Sequence, residues 1–270
     1  MKSGNYEYWE AYYEQGEKKE LSLSFGKGYV DSDGKIKDYD KAIEYDPKPF
    51  KPYNEYNIEP FEPYLARGVT KLDITKSSTK DIEDVIKDLE RAIEIDPTLA
   101  EAHFRLGIAK SRLKDNKSAI ESFDRAIEID PTLTGAYFNR AIAQHSLSPK
   151  KAIKDYSEVL KFNHNNFNAR HQRARLYCEI KEYLKAIEDY DYIIENHDNL
   201  MMLDQMYEDL MTTDTFYHLH NFYINRGKAK FHLNDYQAAI KDFTHILEEL
   251  HPDDSDASYY CELAKSRIAS

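Results

Sequence analysis

The nine residues RAIEIDPTL stand at positions 91–99 and return unchanged at 125–133. The two copies are 34 residues apart, and Pro97 and Pro131 mark the same point in each. Degenerate copies follow along the chain around Ala152, Ala186 and Ala239. Self-similarity at a fixed period of roughly 20–50 residues is the signature of a repeat architecture, so we interpret the chain as an array of repeats.

Each repeat contains two helical patterns, and each pattern carries one small residue at a matching place. The second pattern is apolar at i, i+4, i+7 and i+8, which is the stripe of a helix with one buried face. Two antiparallel helices approach closely near their turn only where both side chains are small, and larger side chains fill the wider space beyond. The small residues of the first helices are Gly68, Gly107, Ala141, Ala174 and Gly227. The small residues of the second helices are Val85, Ala119, Ala152, Ala186 and Ala239, followed by the large residues Leu89, Phe123, Tyr156, Tyr190 and Phe243.

This arrangement resembles the tetratricopeptide repeat family, and the best unit is residues 100–131. The residues of that unit that stand where the family pattern places them are Leu106, Gly107, Ala119, Phe123, Ala126 and Pro131. The resemblance covers residues 61–252 as five units. It implies an all-α fold, a right-handed α-solenoid of stacked antiparallel helix pairs, in which the first helices line a concave surface.

Four stretches depart from the regular repeat. We expect residues 1–47 to form an irregular N-terminal unit related to the repeats, and residues 48–60 to form an extended connector, because proline prevents helix formation there. A long insertion near 197–219 holds four of the five methionines. A core helix, a lid and a docking element remain alternatives for this insertion. Residues 253–270 are predicted to form a helix that caps the last repeat.

Charge and composition narrow the possible partners. The net charge of −12 would repel polyanions, so we expect no nucleic-acid partner. No stretch reaches the roughly 20 apolar residues of a membrane helix, and the first residues lack an apolar signal-peptide core. We therefore expect no membrane insertion and an intracellular, cytoplasmic location. Cys178 and Cys261 lie far apart, which suits two free thiols in a reducing compartment.

The sequence lacks the motifs of common catalytic and metal sites. It contains no GxxxxGK[ST] phosphate-binding loop, no HExxH zinc motif and no GxSxG nucleophile motif. His218 and His220 are close in sequence, but no cysteine or carboxylate spacing completes a metal site beside them. We therefore expect no enzymatic activity, no cofactor and no metal.

The resemblance also predicts which side chains face the concave surface, from their distance to the small residue of each first helix. The candidate partner-binding residues are Phe104, Arg105, Ile108, Arg112, Phe138, Asn139, Ile142, His145, His171, Gln172, Arg175, Asn225 and Lys228. Apolar groups with amide and basic neighbours suit a peptide or a helix that carries apolar and acidic residues. The aromatic members would alternatively pack against neighbouring repeats, so ligand contact and core packing both stay open.

For function, the resemblance implies a protein–protein interaction scaffold that binds a peptide or helical segment of a partner in the concave groove. The alternative is a structural subunit permanently embedded in a larger assembly, which the irregular extensions favour. Some family members hold the C-terminal tails of chaperones with a carboxylate clamp of Lys, Asn and Arg. Only Asn139 matches the clamp, because its other places hold Phe104, Ile108, Asn168 and Gln172. We therefore do not expect that kind of chaperone binding.

Overall fold

The computed structural model describes residues 61–74, 78–196 and 215–269, together with the helical residues Lys37, Tyr39, Asp40 and Ile43. Apart from those four residues, the predicted N-terminal unit at 1–47 and the predicted connector at 48–60 lie outside the described residues. Most of the predicted insertion near 197–219 also lies outside them, up to residue 214.

Regular secondary structure in the described part of the chain is entirely helical. The α-helices are α1 Glu62–Ile74, α2 Thr79–Ile95, α3 Ala100–Arg112, α4 Asn116–Ile129, α5 Thr134–Gln144, α6 Pro149–Phe162, α7 Phe167–Glu179, α8 Tyr183–Glu195, α9 Thr215–His232, α10 Tyr236–His245 and α11 Ser255–Ala269. A π-helical turn, Ile246–Leu250, continues α10. Consecutive helices pack on one another as pairs. The predicted all-α class is confirmed, and this packing is that of an α-solenoid.

Polar side chains fix where several of the helices begin. Asp115, Asn166 and Asp235 each accept a hydrogen bond from the backbone N–H three residues later, at 3.2, 2.9 and 3.2 Å. These bonds satisfy N–H groups that have no partner inside the helix. In α6 the proline at the first position, Pro149, has no N–H to satisfy.

The turn inside three of the repeats reverses the chain through one residue in the left-handed conformation. These residues are Lys114, Lys181 and Asn234, with φ of 62°, 64° and 61°. A left-handed residue just past the end of a helix terminates it and lets the chain turn back. The spacing from Ala141 to Ala152 is one residue shorter than that from Gly107 to Ala119, and the turn between α5 and α6 contains no such residue.

The repeated stretch RAIEIDPTL ends the second helix in two repeats. The side chain of Asp96 accepts from the backbone N–H of Thr98 at 2.8 Å, and Asp130 accepts in the same way from Thr132 at 2.9 Å. The threonine hydroxyls also donate to these carboxylates, and together these bonds hold the pKa of Asp96 and of Asp130 below its usual value. The following proline has no N–H with which to continue the helix.

In two helix pairs, the glycine of the first helix lies directly against the large residue of the second helix. A Cβ atom added to Gly107 would lie 2.5 Å from Cε1 of Phe123. A Cβ atom added to Gly227 would lie 2.6 Å from Cε1 of Phe243. Both phenylalanine rings are fully buried, so each ring occupies the space that the missing side chain leaves free.

The chain divides into two compact units, residues 1–143 and 144–270. In the first unit, one core cluster joins α1, α2 and α3 through Leu72, Leu89 and Leu106. In the second unit, two clusters join α7 to α9 and α9 to α11. Each cluster lies between consecutive helices, as expected where every repeat buries its apolar face against its neighbours.

The π-helical turn accommodates one extra residue at the end of α10, which is the second helix of the last helix pair. The spacing from Gly227 to Pro252 is one residue longer than that from Gly107 to Pro131. His251 N–H donates to the carbonyl five residues earlier, that of Ile246, at 2.6 Å. At the end of α4 the corresponding bond, from Asp130, spans four residues. A π-turn absorbs a single insertion while the helix continues.

Helix α11 lies within the predicted capping segment, 253–270, and buries Ala257, Cys261 and Ala264. Its role as a cap and the division of the chain into repeats and extensions stay predictions. Within the residues described, no helix is both long and apolar enough to cross a membrane.

Candidate functional site

The structure places the predicted partner-binding residues on first helices or directly after one. Seven lie in the first unit, on α3 and α5: Phe104, Arg105, Ile108, Arg112, Phe138, Asn139 and Ile142. Six lie in the second unit, on α7 and α9 or just after α5: His145, His171, Gln172, Arg175, Asn225 and Lys228.

The apolar candidates of the first unit differ in how much of the side chain is exposed to a partner. The Phe104 ring lies 6.1 Å from that of Phe123 and packs on the buried cluster of α4 and α5. Ile108 packs on this cluster and on the one that joins α1, α2 and α3. Phe138 is half-buried, whereas Ile142 is 50% exposed. Ile142 is therefore the apolar candidate of this unit that is open to a partner.

The polar candidates of the first unit bind their own chain. Arg105 Nε donates to Glu101 Oε1 at 2.5 Å, and its Nη1 lies 3.8 Å from Asp73 Oδ1. Arg112 Nη1 donates to the carbonyl oxygen of Leu72 at 2.5 Å. Through Asp73 and Leu72, both arginines tie α3 to the end of α1. Asn139 also bonds locally, since its amide donates to the carbonyl oxygen four residues earlier at 2.9 Å.

Aromatic packing brings α7 and α9 together in the second unit. The ring of His171 lies 5.0 Å from that of Phe222, edge to face, and Phe167 makes a similar contact at 5.1 Å. Phe222 and Tyr190 are fully buried in the same cluster. His171 is therefore half-buried at the border between the core and the surface.

Two of the basic candidates of the second unit are engaged by carboxylates. His145 Nε2 lies 3.2 Å from Glu179 Oε1. Lys228 Nζ donates to Asp256 Oδ2 at 2.8 Å and lies 5.0 Å from the centre of the Tyr260 ring. Both of these partners belong to α11, so the charge of Lys228 is already balanced within the chain.

Arg175 differs from these residues. Its side chain is exposed, and Nη1 donates a long hydrogen bond of 3.4 Å to Gln172 Oε1. Arg175 forms no ion pair with a residue in the described ranges. Asn225, on the neighbouring first helix, is half-buried. We call Gln172, Arg175 and Asn225 together the first-helix face of the second unit.

The positive charge of Arg175 also affects the pKa of two buried tyrosines. Burial raises the pKa of Tyr156 to about 12, and Arg175 opposes that rise. Burial likewise raises the pKa of Tyr190, with Arg175 again opposing. The Tyr190 hydroxyl is buried and makes no hydrogen bond to a described residue.

A second set of arginines forms a network that the sequence-based prediction missed. Arg173 donates to both carboxylate oxygens of Asp189, at 2.9 and 2.7 Å. Arg226 does the same with Asp242, and Arg67 makes the same two-point contact with Asp88. In each pair the arginine directly precedes the small residue of the first helix, and the aspartate directly precedes the large residue of the second.

Two of these arginines, and Arg140, also contact the second helix of the preceding repeat. Arg226 Nη1 donates to Asp191 at 2.7 Å, Arg140 Nη1 donates to Asp124 at 2.6 Å, and Arg173 Nη1 donates to Ser157 at 3.0 Å. Burial disfavours the charged form of Arg226, but the bonds and charges of the aspartates outweigh it and raise its pKa. These arginines therefore bind repeats to one another rather than to a partner.

Two segments of the chain, residues 100–133 and 220–249, each match a family model described as "Tetratricopeptide repeat". No curated protein gives a significant match to the sequence.

Solved structures share the fold at low sequence identity. MamA is 24% identical, with a TM-score of 0.56 over 68% of this chain and 95% of MamA. YrrB, described as a TPR protein with an unusual peptide-binding site, is 15% identical, with a TM-score of 0.59 over 74% of this chain and 91% of its own. Pseudomonas aeruginosa pilF is 14% identical, with a TM-score of 0.59 over 97% of this chain and 100% of its own.

Proposed function

Because two segments of the chain match tetratricopeptide repeat models, we propose that it is a protein-interaction scaffold whose first helices bind a segment of a partner protein. Stacked helical repeats expose extended surfaces that serve this purpose. YrrB, which shares the fold, is described as having a peptide-binding site, and this supports the proposal. The proposal gives the chain no catalytic role.

The observation that carries the proposal is the exposed charge of Arg175. The other cations predicted on first helices bind their own chain, as Arg105, Arg112 and Lys228 do. Arg175 is exposed beside the amide of Gln172 and has no carboxylate partner in the part of the chain described. Arginine is enriched at protein interfaces because its planar head binds carboxylates at two points. An Asp or Glu side chain of a partner segment is the complementary ligand.

We propose that Ile142 gives the first unit a separate apolar contact. Its side chain is 50% exposed on α5, one residue beyond the buried Ala141. Phe104 and Ile108 have most of their packing inside the unit, so they support the surface more than they contact a ligand. The partner segment therefore carries acidic and apolar residues. We do not propose chaperone-tail binding through a carboxylate clamp.

The test uses the full chain and a partner identified by affinity capture with mass spectrometry. Binding of that purified partner is measured by calorimetry for Arg175→Glu and, as a control with the same change in net charge, for Lys241→Glu on α10. We expect Arg175→Glu to weaken binding about tenfold or more, as for an interface arginine, and Lys241→Glu to have little effect. If the two variants bind the partner with equal affinity, Arg175 does not belong to the binding site.

Gel filtration separates the proposal from its alternative. A chain that binds transient partners should elute as a stable species by itself. A subunit permanently embedded in a larger assembly should aggregate alone and be soluble only with its neighbours, because obligate interfaces are large and apolar.

A further inference from the structure

Helix α6 differs in charge from the other second helices. It carries four lysines and two acidic residues, PKKAIKDYSEVLKF. Helix α2 has three basic and six acidic residues, and α8 has one lysine and four acidic residues. In a chain with a net charge of −12, α6 is therefore a local reversal of sign.

The two acidic residues of α6 do not neutralise its exposed face. Asp155 is buried, and Glu158 is paired with Lys161 at 2.8 Å. The remaining lysines are Lys150, Lys151 and Lys154, which we call the basic face of α6. All three are exposed, and none forms an ion pair with a residue in the described ranges.

Exposed apolar side chains stand at both ends of α6. Leu147, in the turn before α6, is 50% exposed, and Phe162, its last residue, is 53% exposed. Ile95 and Ile129 hold the positions in α2 and α4 that correspond to Phe162 in α6, and both are partly buried. The helix has 14 residues. It is therefore about 21 Å long.

We propose that the basic face of α6 binds an acidic amphipathic segment of a partner protein, separately from the first-helix faces. The carboxylates of such a segment complement Lys150, Lys151 and Lys154, and its apolar residues cover Phe162 and Leu147. A protein segment fits better than a long polyanion, because α8, the next second helix along the chain, exposes Glu188 and Glu195. A nucleic acid or an anionic membrane would meet those charges, whereas a short segment avoids them.

The experiment measures binding of a fluorescent synthetic helical peptide, rich in Glu with Leu near both ends, to the full chain by anisotropy. The test variant is Lys150→Glu, Lys151→Glu and Lys154→Glu combined. The matched control is Lys80→Glu, Lys117→Glu and Lys241→Glu, three exposed helical lysines whose replacement gives the same change in net charge. If the test variant fails to fold by circular dichroism, the Gln versions of both triples replace them.

We expect the test triple to weaken peptide binding about tenfold or more and the control triple to change it less than about twofold. The loss caused by the test triple should be smaller at high salt, because salt screens exposed charges. Phe162→Ser should also weaken binding. Equal losses in both triples would overturn the proposal, because only net charge would then matter. Preferential binding of a DNA duplex or of phosphatidylserine vesicles through the same lysines would also overturn it.

Discussion

Arg226 of α9 donates from Nε and Nη2 to the two carboxylate oxygens of Asp242 of α10, at 3.0 and 2.6 Å. Lys230 donates to the same carboxylate at 2.9 Å, and Arg226 also reaches Asp191 of the preceding repeat at 2.7 Å. One buried aspartate therefore holds two cations of its own helix pair, and one of those cations connects two repeats.

Replacing Asp242 with Asn should destabilise the second unit by about 3 kcal/mol, because Arg226 and Lys230 would lose their shared carboxylate in a buried place. Urea unfolding followed by circular dichroism measures the loss. Glu188→Gln, at an exposed position of α8, is the control and should stay within about 0.5 kcal/mol of the parent. A loss for Asp242→Asn as small as that of the control would show that the network contributes little.

Replacing Gly107 with Ala should destabilise the first unit by roughly 1–3 kcal/mol, although alanine favours helices, because the new methyl group would overlap the buried ring of Phe123. Combining it with Phe123→Leu should recover part of the loss. In the first helix pair, Leu89 stands at the position of Phe123. A Cβ atom added to Gly68 there would lie 3.2 Å from Cδ2 of Leu89. Thermal unfolding of the single and double variants tests this. Additive losses in the double variant would argue against steric overlap.

Replacing Tyr190 with Phe should leave stability unchanged or raise it by up to about 1 kcal/mol, because the hydroxyl is buried without a hydrogen-bond partner in the described residues. Phenylalanine fills the same place as Phe123 and Phe243 in other repeats. The melting temperature is the readout, and Tyr190→Ala, which should cost about 3–5 kcal/mol, shows that the site is sensitive. A clear loss on Tyr190→Phe would mean that the hydroxyl is bonded in solution.

Deleting Glu249 should convert the π-helical turn to an ordinary α-helix without loss of folding. The deletion gives the spacing from Phe243 to Pro252 that Phe123 and Pro131 already have. It removes only an exposed contact with His245, whose Nδ1 lies 3.5 Å from Glu249. Hydrogen exchange of the α10 amides should show equal or greater protection than in the parent. Unfolding of the variant would show that the extra residue is required for the packing of α11.

The fold was predictable from sequence because its determinants are local and repeated. The period, the small residues such as Gly107 and the large residues such as Phe123 must recur wherever two helices meet. The arginine–aspartate pairs recur at a spacing of 16 residues, from Arg173 to Asp189 and from Arg226 to Asp242, so this signal was present in the sequence but was not used.

The candidate site was less predictable, because whether a cation is free depends on residues of other helices. Their spacing from the small residue of the first helix predicts that Arg105 and Arg175 both face a partner. In the structure, however, Asp73 of α1 lies close to Arg105, whereas no described carboxylate pairs with Arg175. Similarly, Asp256 of α11 reaches back to Lys228. Distances between helices decide these pairings, and the sequence pattern does not encode them directly.

The most direct measurement of partner binding by the first helices is site-specific photo-crosslinking in the full chain. A benzophenone side chain is placed at Gln172 or at Asn225, and for comparison at the exposed Lys241 of α10. The proposed function predicts adducts with one and the same partner protein from the two first-helix positions and none from Lys241. Adducts from Lys241 alone, with none from Gln172 or Asn225, would contradict it.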